Sequence, residues 1–292
     1  MRDYEFITAR HFEYFEPADL GEALALLDEH GPAGAKVLAG GQSLMVMMRR
    51  RALMPPVLID VKRIAELSGI EEREGGLVLG ATTLLDDVVG SGLVGRVLPG
   101  LADVAGQMGS IQILNRATVG GAICHADPSF DLTPALAALE ARAVIRSSAG
   151  SREIPVEEVA SGRYENQLKP NELLVSVVVP AQPEGSLFGF ANFRRRGGEM
   201  PLAQAGVRVT LGGSQEVADA RIVVGGAGPV PVRSARAEDL LRAVQLDEAA
   251  ASRAGAQAEV DAQPFGDARG DAQWRSALVG TVVKRALLAA AR

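Results

Sequence analysis

The sequence predicts an α+β protein of two or three compact units. Three observations carry this reading. Apolar residues recur at helical spacing after Pro17; short β-branched runs bounded by glycine or proline recur through the middle; and the last third places strands in succession ahead of helices. With 47% hydrophobic and 23% charged residues among 292, the chain has enough apolar material to bury a substantial core.

The first predicted helix follows Asp19, a candidate N-cap, keeps Leu20, Ala23, Leu24 and Leu27 on one face, and closes on Gly31 as its C′ residue. A strand over 36–39 then breaks at Gly40-Gly41 and hands over to a helix over 44–48. Runs at 57–61 and 76–81 predict strands around a short helix at 64–67, with helices over 83–89, 101–108 and 132–139 to follow. Strands at 143–146 and 173–179 close this unit, and Pro180 to Pro183 marks the boundary. Beyond it the pattern predicts strands at 188–193, 203–211 and 220–224, a glycine turn at 225–229, and helices over 236–244, 247–258 and 274–291. The expected division is an amino-terminal domain over 1–179, with subdomains of about 1–56 and 57–179, and a carboxy-terminal domain over 180–292.

Composition excludes several functions. A formal charge of −6, with the basic residues scattered, offers no footprint for nucleic acid. The single cysteine, Cys124, cannot form an internal disulfide or supply the four ligands of an iron–sulfur cluster, and three histidines (His11, His30, His125) make a protein metal site a poor expectation. The amino-terminal stretch carries no leader-like apolar run, and no segment reaches the roughly 20 apolar residues of a membrane span, so a cytoplasmic protein is expected. Redox chemistry here would need an organic cofactor or a partner.

Two glycine pairs, Gly40-Gly41 and Gly120-Gly121, lie where a strand or loop meets apolar sequence. Glycine can take positive φ and lacks a Cβ, so such turns let backbone N–H groups converge on a phosphate, and two of them point to a pyrophosphate. Neither pair has the lysine of a Walker A loop or the spacing of a Rossmann fingerprint, and a lone Gly-Gly is most often a tight turn.

The context of the pairs carries more. Lys36-Val-Leu-Ala-Gly-Gly-Gln-Ser-Leu44, Asn115-Arg-Ala-Thr-Val-Gly-Gly121 and His125-Ala-Asp-Pro-Ser-Phe-Asp131 resemble, in that order, the FAD-binding medium subunit of the molybdenum hydroxylases. This family includes carbon monoxide and xanthine dehydrogenases. The resemblance continues in the segment from Phe193 to Ala203, in Gly225-Gly-Ala-Gly-Pro-Val-Pro-Val-Arg233, and in the closing Trp274-Arg275 helix, and so covers nearly the whole chain. It implies a fold of the vanillyl-alcohol-oxidase type, with FAD between two amino-terminal subdomains and an α+β domain beyond them.

Carried over by position, Lys36, Val37, Leu38, Ala39, Gly40, Gly41, Gln42, Ser43 and Leu44 would wrap the FAD pyrophosphate from one side. Thr118, Val119, Gly120, Gly121 and Ala122 would wrap it from the other, through hydroxyl and backbone N–H contacts. Asp131 matches the acidic residue that holds the adenosine ribose, a task suited to an acceptor-only carboxylate; read without the resemblance, it is the N-cap of the following helix. Met108 falls where relatives place a side chain against adenine, and Leu174 where they place an apolar contact near the flavin. Three positions depart from the family: Ala122 replaces a frequent asparagine, Ala191 stands where some relatives have lysine, and Glu199 stands for aspartate. His125 reads as a packed side chain in preference to a proton donor. Arg194, Arg195 and Arg196 are open to pairing with FAD phosphates or with a partner, or to ordinary surface pairing.

No nucleophile lies near a base at motif spacing, so no catalytic residue is expected in this chain. The resemblance implies an electron-transferring FAD subunit of a heterotrimer, often paired as a dimer of heterotrimers. Molybdopterin would sit on a large subunit and two 2Fe-2S clusters on a small one. An autonomous FAD oxidase or reductase of the same fold, and a flavin-free assembly protein, are the alternatives.

Overall fold

The computed structural model describes residues 12–213 and 215–291. The leader-free reading of the amino-terminal stretch falls mostly on residues 1–11, and His11 with it, outside the described residues.

The first unit runs β1 (Glu13–Phe15), α1 (Leu20–His30), β2 (Lys36–Leu38), α2 (Leu44–Arg49) and β3 (Val57–Asp60). In α1 the expected face is the buried one, and Asp19 Oδ1 accepts from the Glu22 N–H at 2.9 Å. The other end differs from expectation. Gly31 is right-handed, a single 3-10 turn continues to Ala33, and Gly34 takes the left-handed geometry at φ +96°. Gly31 is glycine for space, because a Cβ there would overlap the Pro170 carbonyl. The strands form a parallel sheet ordered β1-β3-β2. β3 is buried along its whole length, which explains its unbroken apolar run. This central strand begins at the residue where the second subdomain was expected to start, yet it hydrogen-bonds within the first sheet. It therefore belongs with the first unit.

The second unit is a five-stranded antiparallel sheet, ordered β4-β5-β10-β6-β7, with a helical cluster against it. Its elements are β4 (Ile70–Arg73), β5 (Gly76–Gly80), α3 (Leu85–Gly90), α4 (Gly92–Val97), α5 (Pro99–Gly106), α6 (Ile111–Leu114), α7 (Val119–His125) and α8 (Leu132–Ala138). After them come β6 (Arg142–Ser147), β7 (Gly150–Pro155), β8 (Ala160–Gly162), β9 (Glu165–Asn166) and β10 (Leu173–Val179). Leu79, Leu85, Leu101, Ile123, Leu136 and Val177 are among the residues of its continuous core. The expected helix at 64–67 is one 3-10 turn over Ala65–Leu67.

The third unit is an antiparallel sheet of β11 (Ser186–Phe193), β12 (Ala203–Leu211), β13 (Val217–Gly225) and β14 (Val232–Arg233). It is covered by α9 (Ala235–Asp239), α10 (Glu248–Asp261) and α11 (Ala272–Ala290). The helix expected over 236–244 stops at Asp239. Ala243 turns left-handed at φ +57°, and the segment is recruited to the edge of β13 by the bonds Ala243 N–H to Val217 O and Val217 N–H to Val244 O.

This third unit grips the second along α8 and the turn before it. A Cβ on Gly206 of β12 would stand 2.5 Å from the Pro134 carbonyl oxygen of α8, and Arg221 Nε donates to Ala137 O at 2.7 Å. Fully buried Gln204 donates to Pro128 O and Phe130 O at 3.1 and 3.0 Å, and the Gly226 N–H donates to Pro128 O at 2.7 Å. The turn leading to Asp131 is thus held by the carboxy-terminal sheet.

Candidate functional site

β2 and β3 are neighbouring parallel strands, with Leu38 opposite Asp60, and their carboxy-terminal ends open side by side into a cleft of about 490 Å³. Such strand ends are common ligand sites in open sheets. Leu38, Ala39, Gly40, Gly41, Gln42, Met45, Val46, Lys62 and Arg116 line it. The β2–α2 turn is shaped for close approach. Gly41 has φ +72°, whereas Gly40 has ordinary φ but no room for a side chain: a Cβ there would overlap the Arg116 carbonyl oxygen and lie 3.0 Å from Ala117 Cα. That contact brings the two glycine-bearing segments together. The N–H groups of Gly40, Gly41, Gln42, Ser43 and Leu44 meet no acceptor among the described residues, and Ser43 at the head of α2 makes no capping bond. Successive N–H groups of this kind, flanked by Lys62 and Arg116, have the donors and the charge to receive an anion.

The second pair behaves differently from expectation. Gly120 and Gly121 form the first turn of α7, not a positive-φ loop. The Val119 N–H donates to Thr83 O at 3.0 Å, Gly120 to Ala81 O at 2.8 Å, Gly121 to the Thr118 hydroxyl at 3.1 Å and Ala122 to Thr118 O at 2.9 Å. These donors are spent inside the fold, and the Thr118 hydroxyl is the helix cap. Gly120 serves packing, since its Cβ would lie 2.7 Å from that of Ala81. Ala122 is buried in the core, where an alanine presents nothing to the cleft. Leu174 is likewise a buried core residue, on β10 beside α7.

Met108 and Asp131 come together in a small recess with Ser129, Phe130, Arg194, Met200 and Pro201. Asp131 heads α8 by position, yet its side chain makes no capping bond. Its carboxylate, 1% exposed, instead takes an ion pair from Arg194 and a 3.3 Å hydrogen bond from Asn192. Burial pushes this carboxyl up to about 6 against the pull of both donors. Of the three successive arginines, Arg194 is therefore a half-buried partner of Asp131, and Arg195 pairs with Glu199 at 3.3 Å. His125 packs between the rings of Phe130 and Tyr164, with centroids 5.5 and 5.2 Å away, and burial lowers its pKa. Ala191 packs into the carboxy-terminal core.

Lys62 was beyond sequence reasoning, because only the register of β2 on β3 brings it to the turn, whereas Met45 and Val46 reach the cleft by following Leu44 directly in α2. Arg116 lay inside a quoted motif, and its charge next to the second glycine pair was the available signal. No group of three His, Cys, Asp or Glu residues that could hold a metal is present among the described residues.

An open N–H turn at the end of a parallel sheet, a carboxylate recess farther along the chain and an α+β unit packed against that recess accompany a match to the flavoprotein class that binds FAD. The chain belongs to the FAD-binding medium subunits of the molybdenum hydroxylases. Residues 10–182 match the family described as the FAD binding domain in molybdopterin dehydrogenase, and residues 188–290 match the CO dehydrogenase flavoprotein C-terminal domain. The chain is 36% identical to the carbon monoxide dehydrogenase medium chain of Hydrogenophaga pseudoflava, over 96% of each chain. It is 34% identical to subunit alpha of the 6-hydroxypseudooxynicotine dehydrogenase complex of Paenarthrobacter nicotinovorans, over 94% of this chain and 93% of the other. Its structure superposes on a chain of H. pseudoflava carbon monoxide dehydrogenase with a TM-score of 0.92, covering 97% and 98% of the two chains at 36% identity. Against quinoline 2-oxidoreductase from Pseudomonas putida 86 the TM-score is 0.91 at 30% identity, covering 97% and 98%. The protein is an FAD-binding component of an oxidoreductase. No helix among the described residues is long and apolar enough to cross a membrane.

Proposed function

We propose that this chain is the electron-transferring FAD subunit of a cytoplasmic heterotrimeric molybdopterin hydroxylase. It receives electrons from two 2Fe-2S clusters on a small subunit and passes them to an external acceptor, while substrate is oxidised at a molybdopterin centre on a large subunit. Two such heterotrimers pair. The observation that carries the reading is the open N–H cradle from Gly40 to Leu44 with Lys62 and Arg116 beside it, in a chain that a relative matches over 96% of its length. Bound flavin supplies a carrier that exchanges electrons singly on one side and as a pair on the other.

The residues of this chain bind and orient. The turn from Lys36 to Leu44 holds the pyrophosphate, with Arg116 on the facing segment. Thr118 to Ala122 shape that segment from within, by capping and packing. Asp131 accepts from the ribose hydroxyls and Met108 lies against the adenine. Leu174 supports the flavin end from the core. The lone Cys124 supports the assignment of the clusters to a partner, and the absence of a nucleophile–base pair fits a carrier better than an autonomous oxidase.

Purification of the native complex tests this. Expected are an oxidised-flavin spectrum, molybdenum and iron in the metal analysis, and two accompanying chains, one cysteine-rich. A yellow protein that purifies alone and oxidises an organic substrate would favour the autonomous oxidase, and a colourless one that cannot be reconstituted would favour the assembly protein.

Asp131 adds a pH dependence. Its carboxyl, lifted by burial to about 6, is protonated below that pH and then offers fewer acceptors to the ribose. FAD affinity of the full chain is expected to fall as pH drops through about 6 and to be flat across that range in Asp131→Asn. Fluorescence titration at several pH values reads it, and identical pH profiles for the two proteins would remove Asp131 from the site.

A further inference from the structure

Asp60 ends the central strand β3 with its carboxylate 1% exposed. A buried charge needs partners, and this one has three. The Tyr14 hydroxyl donates to Oδ2 at 2.6 Å, the Lys62 N–H donates to Oδ1 at 3.0 Å, and Lys62 Nζ lies 2.8 Å from Oδ2. Burial pushes the carboxyl up, but the bonds from Lys62 and Tyr14 outweigh it and hold the group below its ordinary value, so Asp60 is a standing anion. The Lys62 side chain remains 40% exposed and lines the cleft with Gly40, Gly41 and Arg116.

The sheet decides this placement. Leu38 faces Asp60 across the β2–β3 ladder and accepts from the Val61 N–H at 3.0 Å, so residues 39–41 and 61–62 leave neighbouring strand ends together. A lysine free in solvent adopts many rotamers, whereas the Asp60 carboxylate restricts this one to the cleft wall. An ammonium has three donors, and Asp60 occupies one, so two remain for a ligand.

We propose that Lys62 is a pyrophosphate-binding residue of the FAD site, positioned by Asp60, which Tyr14 holds from the far side of the sheet. The proposal rests on the reading of this cleft as the pyrophosphate site. Two cationic side chains, Lys62 and Arg116, then face the two negative charges of the ligand while the 40–44 turn supplies neutral donors.

Equilibrium titration of the flavin-stripped full chain with FAD, and with riboflavin as a phosphate-free probe, tests it. Lys62→Met is expected to weaken FAD about tenfold at low salt, the scale of one charged hydrogen bond. The difference should shrink towards about 1 M salt, where charges are screened within about 3 Å. Riboflavin binding should be unchanged, and Lys62→Arg should recover most of the FAD affinity. Asp60→Asn should weaken FAD when Lys62 is present and add nothing on the Lys62→Met background, the signature of a positioning residue. Lys62→Met binding FAD within about twofold of the unsubstituted chain, or a loss equal for riboflavin and indifferent to salt, would overturn the role of Lys62. Additive effects of the two substitutions would overturn the role of Asp60. Failure of the unsubstituted chain itself to take up FAD would overturn the reading of the cleft, a result separable from the others because it needs no variant.

Discussion

Gly40→Ala is expected to yield a protein that folds but does not keep its flavin. The added methyl would overlap the Arg116 carbonyl oxygen and stand 2.9 Å from its carbon and 3.0 Å from Ala117 Cα. These are backbone atoms, so no side chain can rotate away. The β2–α2 turn and the segment carrying Arg116 must part, which separates the N–H cradle from the facing cation. Overpacking of this kind costs about 1–3 kcal/mol of stability, and misplacing several phosphate donors at once should weaken FAD by more than about a hundredfold. The flavin-to-protein ratio after gel filtration and a denaturant midpoint read the two effects. Gly41→Ala is the control, because its Cβ would meet only Leu38 Cδ1 and Met45 Cγ at 3.4 Å and its cost is the strain of φ +72°, about 1–2 kcal/mol. Normal retention in Gly40→Ala would show that the two segments need not touch for the cofactor to bind.

Arg275→Met is expected to be the more damaging change to stability. Arg275 is fully buried in α11; its Nη1 donates to Leu202 O at 3.1 Å and to Gly226 O at 2.7 Å. Its Nη2 lies 2.6 Å from Asp267 Oδ1, and the guanidinium sits 4.8 Å from the Phe265 ring centroid. A methionine fills much of the volume and satisfies none of those acceptors. Removing one partner of a buried ion pair costs about 3–5 kcal/mol. The lower end is expected here, because Asp267 keeps Arg269 at 2.9 Å. Gly226 also donates to Pro128 in the turn before Asp131, so flavin retention should decline with stability. Chemical denaturation of the two proteins provides the check, and a loss below about 1 kcal/mol, the scale of an exposed ion pair, would contradict the role given to Arg275.

The elements read from the sequence are those with a strong local signature. The apolar stripe and Asp19 cap of α1, the run of β10 and the alternation of β12 announce themselves because each is decided by residues within a few positions of one another. Elements that escaped notice carry no such signature. β4 is largely exposed and polar (Ile-Glu-Glu-Arg), β7 is a polar edge strand, and α4 and α6 are a few residues long and exist by packing on their neighbours. The truncated α9 failed for the opposite reason: local helix propensity was overridden by pairing with β13.

At the site, the residues alone supported only an expectation of a phosphate-bearing ligand between two glycine pairs, and the ordered resemblance across the chain named that ligand as FAD. Glycine, the acidic residue and the motif order are properties of the chain itself, so they were readable in one dimension. Only the tertiary structure decided what each glycine does. Gly40 and Gly41 keep an open turn whose N–H groups meet no acceptor among the described residues, while Gly120 and Gly121, alike in sequence, begin a helix whose donors are spent on Ala81, Thr83 and Thr118. Likewise, Asp131 pairs with Arg194 across 63 residues of chain, and Lys62 reaches the cleft through the register of two parallel strands. Hydrogen-bond commitment and strand register depend on partners far away in the chain, and no local pattern records them.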